Sequence, residues 1–208
     1  MQLTKHHGLG NDFLVLADRT GSRPPEAALA RSACDRHRGV GADGLLFLAP
    51  GQAGTDVAMV LLNADGSRAE MSGNGIGCLA QAALLSGMAP SPSVSVSTDA
   101  GRRTVELRPT EDPRTHLAAV AMGPPVAGAD DEPEWAGGEV LRARRVSMGN
   151  PHLVLQAADA DLLDDRDWVA DLGRRANAAT PGGVNVEVVA AADDGLRMDV
   201  YERGVGLT

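Results

Sequence analysis

Residues 63–85 constrain the fold more than any other part of the chain. They are typical of a strand end, a tight Asp65-Gly66 turn and a glycine-rich start to an apolar helix. Ser72 is a favourable N-cap residue, and apolar residues follow it at helical spacing: Ile76, Leu79, Ala80, Ala83 and Leu84. Backbone amides at such a helix start carry the positive end of the helix dipole, which favours binding of a carboxylate or phosphate. The alternative interpretation is a capped core helix with flexible glycines.

The composition excludes several classes of protein. Aromatic residues make up only 2 % of the 208 residues, so the core must consist of Val, Leu and Ala. A net charge of −9 argues against a nucleic-acid partner, because no basic face can be assembled. The chain has no apolar span long enough for a membrane helix and no signal-peptide pattern at its start. We therefore expect a cytoplasmic protein without a membrane partner.

The scarcity of certain side chains limits the cofactors. Lys5 is the only lysine, which makes Schiff-base chemistry with pyridoxal phosphate improbable. Cys34 and Cys78 are too few for a disulfide framework, and their context predicts helical core thiols. Cys34 and His37 have a C-x-x-H spacing, but no second ligand pair follows, which argues against zinc. The sequence thus predicts neither a cofactor nor a metal.

Apolar patterning predicts a mixed α/β chain. The predicted helices are 26–37, 73–86 and about 159–176. The predicted strands are 13–16, 45–48, 57–62, 94–97, 104–107, 117–122, 152–156, 184–189 and 196–201. Residues 124–138 are rich in Pro, Gly, Asp and Glu, which favours a loop between two halves.

The two halves of the sequence share a short repeat. Residues 10–16 (Gly-Asn-Asp-Phe-Leu-Val-Leu) align with residues 149–155 (Gly-Asn-Pro-His-Leu-Val-Leu). Each copy is a Gly-Asn pair that leads into a predicted strand, which indicates an internal duplication. In this register, a second copy of the Ser72 helix start would fall just beyond Thr208.

Several motifs in this order resemble the diaminopimelate epimerase family over essentially the whole chain. The motifs that carry the resemblance are 7–13 (His-Gly-Leu-Gly-Asn-Asp-Phe), 39–44 (Gly-Val-Gly-Ala-Asp-Gly), 63–67 (Asn-Ala-Asp-Gly-Ser), 72–75 (Ser-Gly-Asn-Gly), 147–152 (Ser-Met-Gly-Asn-Pro-His), 183–185 (Gly-Val-Asn) and 201–206 (Tyr-Glu-Arg-Gly-Val-Gly). The resemblance implies two pseudo-symmetric α/β (α+β) domains, each with strands wrapped around a central helix. We place these domains at residues 1–116 and 117–208.

The resemblance also implies the activity. Members of the family are isomerases that interconvert LL- and meso-diaminopimelate, a precursor of lysine and the bacterial cell wall, without cofactor or metal. One group removes the α-proton and a second group returns a proton to the opposite face, while the substrate lies in the cleft between the domains. Family members are commonly homodimers, and this sequence neither supports nor opposes a dimer.

Residue by residue, the resemblance implies a set of functional groups. The predicted acid–base groups are Ser72, His152 and Glu202. The predicted substrate contacts are Asn11, Asn63, Gly73, Asn74, Asn150, Asn185, Glu202 and Arg203. Some of these residues have simpler explanations: Asn63 as a turn residue, His152 as a strand cap, and Glu202 with Arg203 as a solvated ion pair.

Two departures from the family pattern affect the prediction. Ser72 stands where the family has its first catalytic cysteine, and a hydroxyl is a far weaker acid than a thiol. The family pattern continues beyond position 208 with a second cysteine at a second helix start, so the resemblance predicts an incomplete second domain, a fragment. The alternatives are an inactive ligand-binding relic and a related isomerase with another small amino-acid substrate.

Overall fold

The computed structural model describes residues 3–52, 54–131, 134–193 and 195–208. These residues form two compact units, 1–123 and 124–208. The sequence analysis placed the domain boundary after residue 116, seven residues before the boundary between these two units. Residue 116 begins a strand, 116–121, whose residues all pair with residues 104–109 of the first unit. Among the described residues, no helix is long and apolar enough to cross a membrane.

Both units contain runs of strands separated by a few helices. The α-helices are α1 (Ala27–Cys34), α2 (Gly73–Leu85) and α3 (Arg166–Ala179), and two 3₁₀ helices cover Glu134–Ala136 and Ala160–Asp164. The strands of the first unit are β1 (Leu3–Gly8), β2 (Asn11–Ala17), β3 (Gly44–Pro50), β4 (Val57–Asn63), β5 (Arg68–Ala69), β6 (Ser93–Thr98), β7 (Gly101–Pro109) and β8 (His116–Ala121). Those of the second unit are β9 (Val126–Asp131), β10 (Val140–Ser147), β11 (Pro151–Ala157), β12 (Asn185–Ala192), β13 (Gly195–Glu202) and β14 (Gly206–Leu207).

The first unit is a curled sheet around α2. The strand order is β1-β2-β3-β4-β6-β7-β8, with β5 paired to β4, and every strand of this path contacts α2. Buried residues lie on several sides of the helix, among them Ile76, Leu79, Ala80 and Ala83. A helix that is apolar on all sides must be covered on all sides, so the sheet curls around it. The prediction of strands wrapped around a central helix is confirmed for this unit.

A second, smaller core lies on the outer face of this sheet. It contains Leu14, Leu16 and Leu45 together with Ala30 and Cys34 of α1. Strand β2 therefore buries both faces, because Phe13 and Val15 point to α2 while Leu14 and Leu16 point to α1. The uninterrupted apolar run from Phe13 to Leu16 is typical of a strand buried in this way.

Gln81 of α2 links the two edge strands of the first sheet. Its Oε1 lies 2.8 Å from His6 Nδ1 on β1. Its Nε2 donates to the Arg114 carbonyl oxygen at 2.8 Å and lies 3.1 Å from His116 Nδ1 on β8. Among the described residues, β1 and β8 do not pair with each other through backbone hydrogen bonds. The Gln81 side chain bridges these two edges instead, and we call this set of contacts the Gln81 clasp.

The second unit is a six-stranded sheet in the order β14-β13-β12-β11-β10-β9. Its core lies under α3 and contains Leu153, Leu155, Val186, Val188 and residues of the helix. Residues on the opposite face of β13 are exposed, with Leu196 at 77 % and Met198 at 57 %. This apolar face of β13 is therefore uncovered, whereas Val184, Val186 and Val188 on the side of the core are buried.

The sequence repeat corresponds to a repeated topology. In the first unit β1 and β2 are antiparallel, β2 and β3 are parallel with α1 between them in sequence, and β4 follows antiparallel. In the second unit β10, β11, α3, β12 and β13 repeat this arrangement. The short strands β5 and β14 extend it, since each pairs antiparallel with the strand just before it. The duplicated segments thus occupy equivalent places in the two units.

Some element predictions were wrong or incomplete. Part of the predicted loop 124–138 forms β9 and a 3₁₀ turn, and β1, β5, β10 and β14 were not predicted. The helix expected over 159–176 is a 3₁₀ turn followed by α3, because the Asp165 side chain accepts hydrogen bonds from the amides of Asp167 and Trp168 and starts a new helix. The predicted helix 26–37 ends at Cys34.

Gly173 allows α3 to pack closely on β13. A Cβ atom at this position would lie 2.1 Å from Tyr201 Cγ. We expect Gly173→Ala to lower the free energy of unfolding by about 1–3 kcal/mol, because the overlap outweighs the roughly 1 kcal/mol gained in helix propensity. Denaturant unfolding of the purified chain measures this change.

The matched control combines Gly173→Ala with Tyr201→Ala, which removes the clashing ring. The double variant should lose less stability than the sum of the two single variants. Additive losses would show that the ring does not oppose the added methyl group.

Candidate active site

Ser72 caps the buried helix α2 through its side chain. Its backbone is extended (φ −143°, ψ 122°), and its Oγ accepts a hydrogen bond from the Gly75 amide at 3.0 Å. Its carbonyl oxygen accepts from the Ile76 amide at 2.9 Å. The amides of Gly73 and Asn74 have no intrahelical acceptor, as at every helix start. The sequence prediction of the N-cap is therefore confirmed.

The start of α2 has open space on one side and close neighbours on the other. Gly73 is exposed, and apart from its chain neighbours and the backbone of its own helix no described atom lies within 4 Å of the place where its Cβ would be. A Cβ at Gly75 would lie 3.1 Å from Ser72 Cβ and 3.4 Å from Phe13 Cζ, so glycine lets the helix start approach β2. A Cβ at Gly8 would lie 3.3 Å from Asn74 Cβ. An anion can thus approach the start of α2 from the open side beside Gly73.

Asn11 begins β2 and Asn63 ends β4, and both lie at the same edge of the first sheet. Phe13 pairs with Gly44, and Gly44 pairs with Asn63, so β2, β3 and β4 are level there. Asn11 Nδ2 donates to Asp43 Oδ2 at 2.9 Å, and Asn63 Nδ2 donates to Ser67 Oγ at 3.0 Å. Within the described residues neither Oδ1 atom accepts a hydrogen bond, so both remain available to a donor such as an ammonium group.

A network of charged residues holds Asn11 in place. Arg36 donates to both carboxylate oxygens of Asp12, at 2.7 and 3.2 Å, and to Asp43 Oδ1 at 2.7 Å. Lys5 Nζ lies 2.9 Å from Asp12 Oδ2 and donates to the Gly41 carbonyl oxygen. The Arg36 guanidinium, with help from Lys5, keeps the pKa of Asp12 well below its usual value. The only lysine is therefore part of this ion network.

In the second unit three polar side chains form a hydrogen-bonded row. His152 Nε2 lies 2.9 Å from Asn150 Oδ1, and His152 Nδ1 lies 2.7 Å from Glu187 Oε1. The His152 and Glu187 side chains are 21 % and 15 % exposed. Glu187 Oε2 is buried and has no hydrogen-bond partner among the described residues. Sequence reasoning identified Asn150 and His152 but missed Glu187.

The remaining predicted residues of the second unit lie at the same end of its sheet. Asn185 begins β12 directly beside His152 of β11. Its Oδ1 accepts a hydrogen bond from the Arg203 amide at 2.9 Å. Glu202 ends β13, where its backbone pairs with Gly206 of β14. Asn150, His152, Asn185, Glu202 and Arg203 are all half-buried, at the border between core and solvent.

Both cysteines are core thiols, as the sequence predicted. Cys34 ends α1 and Cys78 lies within α2, and both are buried. Burial raises the pKa of each thiol to about 11, and for Cys34 the carboxylates of Asp12 and Asp43 add to the effect. Neither thiol is therefore ionised near neutral pH, and neither stands at a helix start. Cys78 does not replace the thiol missing at position 72.

A groove of about 560 Å³ lies at the other end of α2. It is lined by residues of β1 and β2, the segment after β2, and the end of the helix: Thr4, Lys5, His6, Val15, Ala17, Arg19, Ala82, Leu85 and Ser86. This groove contains none of the predicted site residues. The candidate site therefore rests on the start of α2 and on the strand ends, rather than on the groove.

Two solved structures share the architecture just described. A hydroxyproline epimerase from Agrobacterium vitis, with bound trans-4-hydroxy-L-proline, matches with a TM-score of 0.70 at 19 % identity over 99 % of this chain and 70 % of that one. A probable proline racemase from Agrobacterium radiobacter matches with a TM-score of 0.69 at 19 % identity over 99 % of this chain and 71 % of that one. These likenesses show that the chain has the fold of amino-acid racemases and epimerases.

Within that class the chain belongs to the diaminopimelate epimerase family. The model of that family, described as diaminopimelate epimerase, matches residues 3–127. A diaminopimelate epimerase from a Picosynechococcus species is 37 % identical over all of this chain and 78 % of its own length. The diaminopimelate epimerase of Pelotomaculum thermopropionicum is 39 % identical over the same shares of the two chains. The family is one of isomerases, so the resemblance read from the motifs is confirmed.

The Asp12 ion pair predicts an acid-dependent stability. Because the folded-state pKa of Asp12 is lowered, the pair stabilises the protein above the usual value of 3.8 and loses this effect as pH falls further. We expect Asp12→Asn to reduce the free energy of unfolding by about 1–2 kcal/mol at pH 7, a modest value since Arg36 is half exposed. Denaturant titrations between pH 7 and pH 2 measure the difference.

The difference between wild type and Asp12→Asn should shrink below about pH 4, as the unfolded chain binds protons more readily than the folded one. Asp161→Asn is the control, because Asp161 is exposed. A difference that stays constant down to pH 2 would mean that Asp12 acts through packing rather than through its charge.

Thiol reactivity tests the electrostatics of the α2 start. At pH 8 the native chain should react slowly with iodoacetamide, because both natural thiols are buried and protonated. Ser72→Cys adds a half-buried thiol at the helix N-terminus, and Ser86→Cys adds a half-buried one at the C-terminal cap. We expect the thiol at position 72 to react about tenfold faster, since the dipole favours the thiolate there. Mass spectrometry of quenched samples gives both rates, and equal rates would contradict a positive potential at the start of α2.

Proposed function

We propose that this chain binds diaminopimelate and interconverts its LL and meso forms by proton transfer at the α-carbon. The observation that carries the proposal is the start of α2, where Ser72 caps a buried helix, Gly73 is exposed, and the first amides have no intrahelical acceptor. The family membership supports diaminopimelate as the substrate, since the relatives bear that enzyme's name.

The proposal assigns the substrate's α-carboxylate to the amides of Gly73 and Asn74. Their partial positive charge favours the carboxylate and also the carbanion that forms beside it when the α-proton leaves. Asn11 and Asn63 supply free Oδ1 acceptors at the same sheet edge, which suit the substrate's ammonium group. In the second unit the proposal keeps substrate contacts for Asn150, Asn185, Glu202 and Arg203, and acid–base roles for His152 and Glu202.

Ser72 is assigned to the acid–base position at the start of α2. Within the described residues its hydroxyl accepts one hydrogen bond, from the Gly75 amide, and this bond stabilises negative charge on Oγ. The hydroxyl is still a weak acid, so we expect slow proton transfer by the natural chain. A thiol in the same place would ionise more readily.

Two expectations of the sequence analysis remain part of the proposal: a cytoplasmic location, and a small amino acid as the partner with neither nucleic acid nor membrane. The homodimer that is common in the family is neither supported nor opposed by the sequence. Size-exclusion chromatography with light scattering measures the oligomeric state directly.

Exchange of the α-proton with solvent tests the activity. In heavy water, LL-diaminopimelate should gain deuterium at an α-carbon in the presence of the chain, as seen by mass spectrometry. We expect Ser72→Ala to abolish the exchange and Ser72→Cys to raise its rate by about 10²-fold or more, a typical contribution of general acid–base catalysis. Ser86→Ala, the same change at the other end of α2, should leave the rate unaltered.

Calorimetric titration of the same variants separates binding from chemistry. Ser72→Ala should still bind LL-diaminopimelate, because the amides of Gly73 and Asn74 are unchanged. Binding without exchange in both the natural chain and Ser72→Cys would favour a ligand-binding relic. No binding by either protein would overturn diaminopimelate as the ligand.

A further inference from the structure

Glu187 is held against His152 by the register of two parallel strands. His152 of β11 lies beside Asn185 of β12, and Glu187 follows Asn185 by two residues on the same face of the sheet. This diagonal placement brings Glu187 Oε1 to 2.7 Å from His152 Nδ1. The neighbours of Glu187 across the sheet are Val154 and Val200, so the carboxylate lies in apolar surroundings where a hydrogen bond is strengthened.

The carboxylate of Glu187 determines which ring nitrogen of His152 carries a proton. An ionised carboxylate only accepts hydrogen bonds, so Nδ1 must be the donor in this contact. The Nε2 atom is then a donor if the ring holds two protons and an acceptor if the ring holds one. Nε2 lies 2.9 Å from the Asn150 side chain, so whether Nε2 donates or accepts decides which end of the Asn150 carboxamide faces it.

The orientation of the Asn150 carboxamide follows from the state of Nε2. When Oδ1 faces Nε2, an Nε2–H donates to it and the Asn150 NH₂ group points away as a donor. With a singly protonated ring the carboxamide turns, NH₂ faces Nε2, and Oδ1 points away as an acceptor. The first orientation suits a carboxylate on a ligand, and the second suits an ammonium group.

We infer that Glu187 is a positioning residue that orients the ring of His152 and, through it, the carboxamide of Asn150. This inference rests on the proposed function, which gives His152 and Asn150 their roles toward the substrate. Glu187 Oε2 supports it, because this oxygen is buried and accepts no hydrogen bond within the described part of the chain. Among the described residues, the contact of Oε1 with the His152 ring is therefore the one hydrogen bond that this carboxylate makes.

Nuclear magnetic resonance of the side chains tests the inference without substrate. Nitrogen-15 spectra of the ligand-free protein report the protonated nitrogen of His152 and the carboxamide signals of Asn150. Glu187→Gln keeps the shape but removes the charge, so the His152 Nδ1–H signal should move upfield and the Asn150 NH₂ signals should shift with it. Glu139→Gln is the matched control, since Glu139 is exposed in the same unit.

Identical His152 and Asn150 signals in Glu187→Gln and Glu139→Gln would overturn the inference. A shift of the His152 signal alone would overturn the link to Asn150. Circular dichroism verifies that each variant is folded. If Glu187→Gln does not fold, Glu187→Asp takes its place, because it keeps the charge but withdraws the carboxylate from the ring by one methylene group.

Titration with LL-diaminopimelate connects the inference to the proposed function. Glu187→Gln should bind about tenfold more weakly than the natural chain, while Glu139→Gln should bind equally well. If the natural chain binds no diaminopimelate but the His152 and Asn150 signals shift together, the proposed function fails and the role of Glu187 stands. Equal binding by all three proteins would overturn a role for Glu187 toward this ligand.

Discussion

The first unit depends on burying a helix that has no polar side wide enough to face water. Helix α2 consists mainly of Gly, Ala, Leu and Ile, with Ile76, Leu79, Ala80 and Ala83 fully buried. At about 25 cal/mol per Å² of apolar surface removed from water, covering such a helix on all sides is worth far more than covering one face. The sheet curls because a flat sheet can cover only one side. Small side chains on the helix let the strands approach it closely.

The same burial leaves the helix start as the place where a ligand can be bound. The side of α2 is covered by strands, but its first amides lie at the sheet edge where β2 and β4 begin or end. Polar side chains at strand ends cannot pack into the core, so they gather at this edge with the amides. Asn11 is fixed there by Asp43, and Asp43 by Arg36. The candidate site is thus a product of how the helix is covered.

The parts of the fold that could be predicted are those with strong local signals. The span of α2 was predicted to within one residue at its end, because Ser72 is a good cap and the apolar spacing is regular. Strand β1 was missed, since Thr4-Lys5-His6-His7 is polar and the strand lies at a sheet edge. Strand β10 was missed because three arginines interrupt its apolar pattern.

The site was predictable only as far as the motifs reach. Asn11, Asp43, Ser72 and His152 stand within motifs. Which side chains meet depends on strand register, however, and no local pattern reports the register. Asp43 meets Asn11 because β2 and β3 are parallel, and Glu187 meets His152 because β11 and β12 are parallel. One signal for Glu187 was present in the sequence: it is the single charged residue of β12, in a strand that is apolar after Asn185 apart from this residue.

The Gln81 clasp has a consequence for how the first unit is formed. It joins β1, the earliest strand of the chain, to β8, the last strand of that unit, across more than a hundred intervening residues. Contacts between such distant parts of a chain form only after the chain has lost the entropy of the long loop between them. This loss precedes the stabilising free energy of the contacts, which slows folding. During synthesis the helix cannot be enclosed until residue 116 has left the ribosome. Until then the part of its apolar surface that β8 covers remains exposed, and chaperones or other chains can bind it.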